Sequence, residues 1–237
     1  MFFFTRKSKT EIIGFISEKN LIAAEFAPLK LSKEIIPSWW KNVKSSSFDW
    51  ERMVPLSTSK SCIGIINSIT SGIILPLWSD LAIKYNNDGI HFRYADTVSE
   101  LQPHDSAQIQ GFYSDFWVTK IVSPWYFKSQ CKLHFTAPFY SHTSETPYVV
   151  APGIVTPVNS YSASHVFLFL RKSAEEQRIF IKNNTPLVQI IPLTDKDITF
   201  KTEVISDVEM QKINSKLGTR LAFNNKGLKT IQILDKD

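Results

Sequence analysis

One stretch of the sequence decides the fold class: residues 80–94 have the sequence DLAIKYNNDGIHFRY. Apolar and polar side chains alternate from Leu81 to Tyr85 and again from Ile90 to Tyr94, which is the pattern of half-buried strands. The residues between the two runs, Asn-Asn-Asp-Gly, favour a tight turn. The stretch therefore predicts a β-hairpin.

The segment before this hairpin predicts a helix that leads directly into a strand. Apolar residues at three- and four-residue spacing place the helix over residues 61–72, with Ser59 or Ser61 as its cap. Gly72 stands where the chain needs the left-handed conformation past the helix end. We expect a strand over residues 73–78 to follow.

Closer to the N-terminus, residues 11–27 alternate loosely and predict two short strands. Residues 37–41 introduce a short helical or irregular stretch that contains Trp39 and Trp40. This pair could stack on a base or a sugar, or it could anchor a peripheral segment on the core. Because large aromatic side chains bury large areas, we favour the anchor.

Downstream of the hairpin, short apolar runs alternate with turn signals. Strands are predicted over residues 117–122, 126–128, 132–135, 148–150, 166–170, 179–181, 187–193 and 199–204. This pattern is typical of a mainly β fold, so we expect an antiparallel β-sandwich, a jelly roll or a β-clip-like fold with one internal helix. A C-terminal helix over residues 206–217 completes it, with Ser206 and Glu209 as a capping box and Gly218 as its stop.

The composition supports a single β-rich domain over residues 1–237. Hydrophobic residues make up 43% of the chain and charged residues 21%, which provides enough apolar surface for a core. The 17 Phe and 6 Trp favour strands, because aromatic side chains fit a pleated, half-buried surface. We divide the domain into N-terminal strands with the tryptophan segment (about 1–60), a β core (61–204) and a C-terminal helix with its tail (205–237).

The net charge of +5 does not predict a nucleic-acid site. Basic residues are scattered along the chain, and the densest run is residues 6–9. Binding to a phosphate backbone requires Lys and Arg gathered on one face. We therefore expect a mildly basic, solvated surface and no dedicated nucleic-acid partner.

Cys62 and Cys131 are far apart and stand in apolar surroundings. Without a Cys-x-x-Cys pattern or a Cys/His cluster, they predict two buried free thiols in a reducing compartment. Residues 1–4 are apolar, but charged residues follow at once, which is the wrong arrangement for a signal peptide. No apolar run reaches the length of a membrane span, so we expect a cytoplasmic protein without a membrane partner.

Several blocks of sequence carry a resemblance to a known family. The blocks are residues 37–41 (PSWWK), 60–80 (ending in LPLWSD), 123–125 (SPW), 151–155 (APGIV) and 185–193 (TPLVQIIPL). In this order and spacing the chain resembles an uncharacterised family of about this size that bacteriophages, marine phages among them, and some bacteria encode. The resemblance covers about residues 35–200. It implies a phage or bacterial origin, and hence a location in the host cytoplasm or in the virion, but it supplies no function.

A weaker resemblance concerns residues 153–192, which are similar to the third motif region of trimeric dUTPases. In that family a β-hairpin presents a deoxyribose pocket, and a carboxylate orients the attacking water. Thr156 stands at the place of the carboxylate, and Asn184-Thr185 replaces the Gly-rich turn. The resemblance implies a shared hairpin architecture without shared chemistry.

Five residues are candidate ligand contacts: Gly153, Thr156, Gln189, His104 and Gln108. Gln189 lies in the middle of an apolar strand, where an outward-facing or hydrogen-bonded role competes with a ligand contact. His104 and Gln108 belong to the most polar cluster outside the turns. The carboxylate beside His104 directly follows it, whereas a metal-binding His-x-Asp motif needs a residue between, so we predict no metal site.

The sequence contains no complete catalytic motif. It has neither a Gly-x-Ser-x-Gly elbow nor a Gly-rich phosphate loop, and we predict no catalytic residue and no cofactor. The leading hypothesis is a phage-associated, non-enzymatic binding or assembly protein with a protein partner or self-association into a homo-oligomer. One alternative is a dUTPase-like protein that binds or hydrolyses a nucleotide. A second alternative is a cupin-type metal-dependent oxygenase, which would need His104, His134 and His165 to converge.

Overall fold

A computed structural model of the chain describes residues 8–96, 100–103, 114–141, 146–157 and 159–223. The strands are β1 (Lys9–Ser17), β2 (Lys30–Leu31), β3 (Ser46–Asp49), β4 (Val54–Ser57), β5 (Ile73–Pro76), β6 (Leu81–Tyr85), β7 (Ile90–Tyr94), β8 (Glu100–Pro103), β9 (Phe116–Val122), β10 (Tyr126–Lys128), β11 (Lys132–Thr136), β12 (Val149–Val150), β13 (Gly153–Val155), β14 (Tyr161–Ala163), β15 (Val166–Arg171), β16 (Gln177–Ile181), β17 (Pro186–Leu193) and β18 (Asp197–Ile205). The helices are α1 (Leu21–Phe26), α2 (Ser38–Asn42), α3 (Ile63–Thr70) and α4 (Asp207–Phe223).

The strands form sheets in the orders β13-β11-β17-β5-β2, β14-β10-β1-β18, β12-β15-β9-β8, β16-β6-β7 and β3-β4. One hydrophobic core draws buried side chains from every one of these sheets except β3-β4. The chain is mainly β with the architecture of a β-sandwich, which confirms the predicted fold class. No helix in the ranges described is long and apolar enough to cross a membrane.

The hairpin predicted over residues 80–94 is present as β6 and β7. Leu81, Ile83 and Tyr85 are buried, whereas the residues between them are exposed. In the turn, the side-chain oxygen of Asn86 accepts hydrogen bonds from the backbone N–H groups of Asp88 and Gly89. The alternation thus places one face of β6 on the core, as a half-buried strand requires.

The N-terminal region differs from the prediction, because the second strand expected within residues 11–27 is a helix. β1 ends at Ser17, a 3-10 turn follows, and the segment Leu-Ile-Ala-Ala-Glu-Phe forms α1. Leu, Ala and Glu are good helix formers, and the loose alternation in this segment does not require a strand. Two of its large side chains, Ile22 and Phe26, remain exposed.

β1 pairs in parallel with β18 over nine residues, from Lys9 opposite Asp197 to Ser17 opposite Ile205. β10 pairs antiparallel with its other edge. One face of β1 joins the main core, and Phe15 on the opposite face packs against Met210 and Ile213 of α4. β1 is therefore a central strand that is buried from Ile12 to Ser17, and β18 is the edge of its sheet.

The ends of α3 and α4 agree in part with the prediction. Gly72 follows α3 with a φ of +80°, as expected, but α3 starts at Ile63 and neither predicted serine caps it. A 3-10 turn occupies Ser59–Ser61 instead. The Ser206 hydroxyl accepts a hydrogen bond from the backbone N–H of Glu209 at 3.3 Å, which confirms this cap. Gly218 does not stop α4, because a single glycine costs a helix only about 1 kcal/mol.

The paired tryptophans have different environments. Trp40 is 6% exposed and meets the ring of Phe139 edge to face at 6.3 Å, whereas Trp39 is 52% exposed. The anchoring role therefore belongs to Trp40. Both cysteines are free, as predicted, but Cys62 is exposed at the start of α3 and Cys131 is half-buried, so the prediction of two buried thiols is wrong.

The hairpin of β3 and β4 forms a two-stranded sheet of its own. Its large apolar side chains face solvent: Phe48, Met53, Val54, Leu56 and, at 77% exposure, Trp50 in the turn. An isolated two-stranded hairpin is marginally stable in water. Its base is held by neighbouring segments, since the Thr58 hydroxyl donates to the carbonyl of Lys44 at 2.5 Å.

Candidate functional site

The structure separates the candidate ligand contacts of the sequence analysis. Gly153 lies on β13 at a sheet edge, where an added Cβ would meet no atom within 4 Å. Thr156 follows it on the exposed surface. Gln189 is buried, and its side-chain amide donates to the backbone carbonyls of Ser68 and Ser71, both at 2.6 Å. This amide satisfies carbonyls at the end of α3 that the helix itself leaves unpaired.

The stretch that resembles the dUTPase motif does not form one hairpin. β13 and β17 lie in the same sheet but are separated by β11. β14, β15 and β16, which lie between them in the chain, belong to three further sheets. Residues 153–192 are therefore distributed over four sheets, and the expected shared hairpin is absent from the described residues of this stretch.

The histidines do not supply a metal site in the described residues, where no three His, Cys, Asp or Glu side chains form a group that could hold an ion. His134 lies on β11 opposite Ile191. Burial, with a smaller contribution from the Lys120 charge, lowers the pKa of His165 to about 4, so this imidazole is neutral near pH 7. His104 and Gln108 lie outside the described residues.

A cleft with a volume of about 920 Å³ opens beside α1. Its walls come from six segments that are distant in sequence: the turn after β1 with α1, the loop between β5 and β6, the residues after β7, the loop between β9 and β10, the turn before β17, and α4. Pockets of this size hold small ligands in many proteins. We treat this cleft as the candidate functional site.

Backbone hydrogen bonds fix one wall of the cleft around Asp80. The Asp80 carboxylate accepts a hydrogen bond from the backbone N–H of Asn183 at 2.7 Å. The backbone carbonyl of Asp80 accepts another from the backbone N–H of Ala95 at 3.0 Å. Asn184, in the left-handed conformation at φ 59°, donates its N–H to the carbonyl of Leu77. Three loops are therefore tied together at the point where Asp80 and Asn183 enter the lining.

A buried serine network fixes the loop between β9 and β10. The Ser164 hydroxyl donates to the hydroxyl of Ser123 at 3.0 Å and lies 2.6 Å from the carbonyl oxygen of Trp125. The Ser123 hydroxyl also accepts from the N–H of Trp125 at 3.1 Å. Hydrogen bonds between buried groups hold this loop in one conformation, with Ser123 and Pro124 on the cleft.

The opposite wall combines an apolar rim with polar side chains. Asn20 donates its side-chain amide to the hydroxyl of Ser17 at 3.2 Å, and this turn leads into α1. Phe26, 63% exposed, stands at the rim, and Trp78 lies buried on the lining. On the side of α4, burial raises the pKa of Tyr126, and a hydrogen bond that its phenol oxygen accepts from the side chain of Asn214 offsets part of this rise.

The electrostatics of the lining are mildly acidic. Asp80 and Asp96 contribute two carboxylates, and Lys19 is the cation among the described lining residues. Asparagine side chains at positions 20, 183 and 214 add donors and acceptors. Such a lining can donate to and accept from a neutral ligand that carries several hydroxyl groups.

Sequence patterns do not reveal the cleft, because its lining residues come from segments spread between positions 17 and 214. A signal was nevertheless present. Two of the blocks that carry the family resemblance, residues 60–80 and 123–125, contribute Trp78, Asp80 and Ser123 to the lining.

No family model, no curated protein and no solved structure matches this chain.

Proposed function

We propose that this chain is a non-enzymatic binding protein whose cleft holds a small hydroxyl-rich ligand, of the kind a mono- or disaccharide represents. The observation that carries the proposal is the composition of the cleft, in which carboxylates and amides surround a space with an aromatic rim. Ligand sites commonly combine apolar walls with a few polar groups that fix orientation. The resemblance to a family that phages and some bacteria encode implies a phage or bacterial origin for this binding protein and does not bear on its ligand.

The cleft offers each part of a sugar a suitable surface. Hydroxyl groups both donate and accept, so they can pair with Asp96 on one side and Asn183 on another. The exposed ring of Phe26 offers an apolar face for the C–H side of a sugar ring. An exposed aromatic ring next to polar side chains is the arrangement such a ligand needs.

The nucleotide alternative receives less support from the same residues. A triphosphate carries several negative charges, and in the cleft it would lie near Asp80 and Asp96 with Lys19 as its cationic partner in the described lining. Like charges at short distance repel strongly where water is partly excluded. A neutral ligand avoids this repulsion.

The test is titration calorimetry of the purified protein with a panel of mono- and disaccharides, and separately with dUTP and Mg²⁺. We expect at least one sugar to bind, and Phe26→Ala to weaken that binding by at least about fivefold, which corresponds to about 1 kcal/mol from a lost ring contact. Asn183→Ala should also weaken the binding. The substitution removes the side-chain amide on the cleft but keeps the hydrogen bond to Asp80, which uses the backbone N–H of residue 183.

Phe180→Ala is the matched control, since Phe180 on β16 is 59% exposed and lies outside the cleft lining. The affinity of the Phe180→Ala variant for the sugar should equal that of the unmodified protein. Binding of dUTP in place of every sugar would favour the nucleotide alternative. Steady release of pyrophosphate from dUTP would contradict the non-enzymatic part of the proposal.

A further inference from the structure

The outer edge of β18 is the longest unpaired strand edge that the described residues contain. β18 spans nine residues, and β1 is the strand that pairs with it. Most of its side chains are exposed, including the apolar Ile198 and Val204. An exposed edge presents a row of N–H and C=O groups to which another strand can pair.

The usual protections of an edge are weak in β18. Its register with β1 is continuous over all nine residues, so no bulge bends the strand away, and its sequence contains no proline. A lysine near the middle of an edge normally repels a second strand. Here Lys201 lies 3.2 Å from Glu11 and 3.0 Å from Glu203, so neighbouring carboxylates neutralise its charge.

Symmetry limits how two copies of this edge can meet. A two-fold axis perpendicular to the sheet brings two β18 strands together antiparallel and keeps each face on the same side. Only residues of the same face can then lie opposite each other, so one residue of the strand must lie opposite its own copy, with the axis midway between the two. Centring it on Lys201 or on Glu203 would place that charge opposite its own copy.

Centring the axis on Thr202 has the opposite result. Lys201 of each copy then lies directly opposite Glu203 of the other, which gives two symmetric ion pairs. On the other face, Phe200 lies opposite Val204 twice, so half-exposed apolar side chains cover one another. Directly opposite pairs of these two kinds stabilise antiparallel strands.

We infer that β18 pairs antiparallel with β18 of a second copy of this chain, centred on Thr202. The four-stranded sheet β14-β10-β1-β18 then continues across the two-fold axis as a sheet of eight strands. The cleft is lined by other segments, so this self-association is independent of its ligand.

The test is sedimentation velocity over a concentration series with the full chain and with Lys201→Glu and Glu203→Lys. The unmodified protein should form a dimer of about 54 kDa from chains of 27.1 kDa. Each variant alone brings like charges together at both symmetric pairs, and its dissociation constant should rise at least about fivefold. An equimolar mixture of the two variants should recover the affinity, because opposite charges face each other in the mixed dimer.

The mixture separates the interface from effects within one chain, since the in-chain contacts to Glu11 and Glu203 are not restored by mixing. Lys84→Glu is the matched control: it breaks an exposed ion pair to Glu176 on a different sheet and should leave the dimer unchanged. A protein that stays monomeric at concentrations on the order of 100 µM overturns the inference. So does a mixture that associates no better than either variant alone.

Discussion

Replacing Gly72 by alanine should destabilise this protein far more than an average glycine substitution. Gly72 connects α3 to β5 with a φ of +80°, a conformation that side chains with a Cβ disfavour. A Cβ at this position would also lie 2.2 Å from the carbonyl oxygen of Ile190 and 2.9 Å from its carbonyl carbon. Both of those atoms are backbone of the buried strand β17, so they cannot move aside as a flexible side chain would.

The expected loss of unfolding free energy is about 3 kcal/mol. The left-handed conformation costs an alanine about 1 kcal/mol. Relief of the contact requires a shift of roughly 0.8 Å in a close-packed region, since a Cβ keeps at least 3.0 Å from such atoms. The shift weakens three hydrogen bonds of about 1 kcal/mol each, the two from Gln189 and the one from Ser32 to the Gly72 carbonyl; losing about two thirds of their sum adds about 2 kcal/mol.

The assay is thermal and urea unfolding followed by fluorescence. For a chain of this size the loss corresponds to a fall in melting temperature of about 6 to 12 °C. Gly153→Ala is the control, because its Cβ meets no atom within 4 Å, and its unfolding free energy should change by less than about 0.5 kcal/mol. A melting temperature of Gly72→Ala within about 2 °C of the unmodified protein would refute the reasoning.

Three further outcomes follow from the same structure. Trp40→Ala should lower the unfolding free energy by about 3 to 5 kcal/mol, because removal of a buried ring leaves a large cavity. Trp39→Ala should lower it by less than about 1 kcal/mol, because this ring is half exposed. Equal falls in melting temperature for the two variants would contradict the assigned burial. In the native protein, exposed Cys62 should react with a thiol reagent well before half-buried Cys131, and after denaturation two thiols should react. A native protein in which neither thiol reacts rapidly would contradict this assignment. The pKa of His165 is about 4 in the folded protein, below its value in the unfolded chain, so protonation favours unfolding. The contribution of His165 to the unfolding free energy should be fully present above about pH 6.5 and fall by up to about 3 kcal/mol towards pH 4. In urea titrations at several pH values, His165→Gln should reduce this fall, and an unchanged dependence of the unfolding free energy on pH would contradict it.

Features that depend on neighbours in the chain were predictable from the sequence. The hairpin of β6 and β7 follows from alternation and a turn, and the left-handed Gly72 follows from the end of an apolar periodic segment. The Ser206 cap is equally local. In each case the residues that decide the structure lie within a few positions of one another.

Features that depend on distant partners were not predictable. Nothing in the pattern of β1 indicates that its partner lies about 190 residues later and runs in the same direction. Gln189 could have faced a ligand, and only the position of α3 beside β17 assigns its amide to two carbonyls. The cleft likewise depends on loops whose approach is decided by the packing of the sheets.

The parallel pairing of β1 with β18 also has a consequence for biosynthesis. Residues 9–17 leave the ribosome about 190 residues before their partner, residues 197–205. At translation rates of about 5 to 20 residues per second, roughly 10 to 40 s separate the two strands. During that interval one edge of β1 lacks its native neighbouring strand, and its apolar side chains are not yet fully buried. Contacts this distant in sequence form slowly even in a complete chain, so we expect the nascent protein to depend on chaperones until β18 has been made.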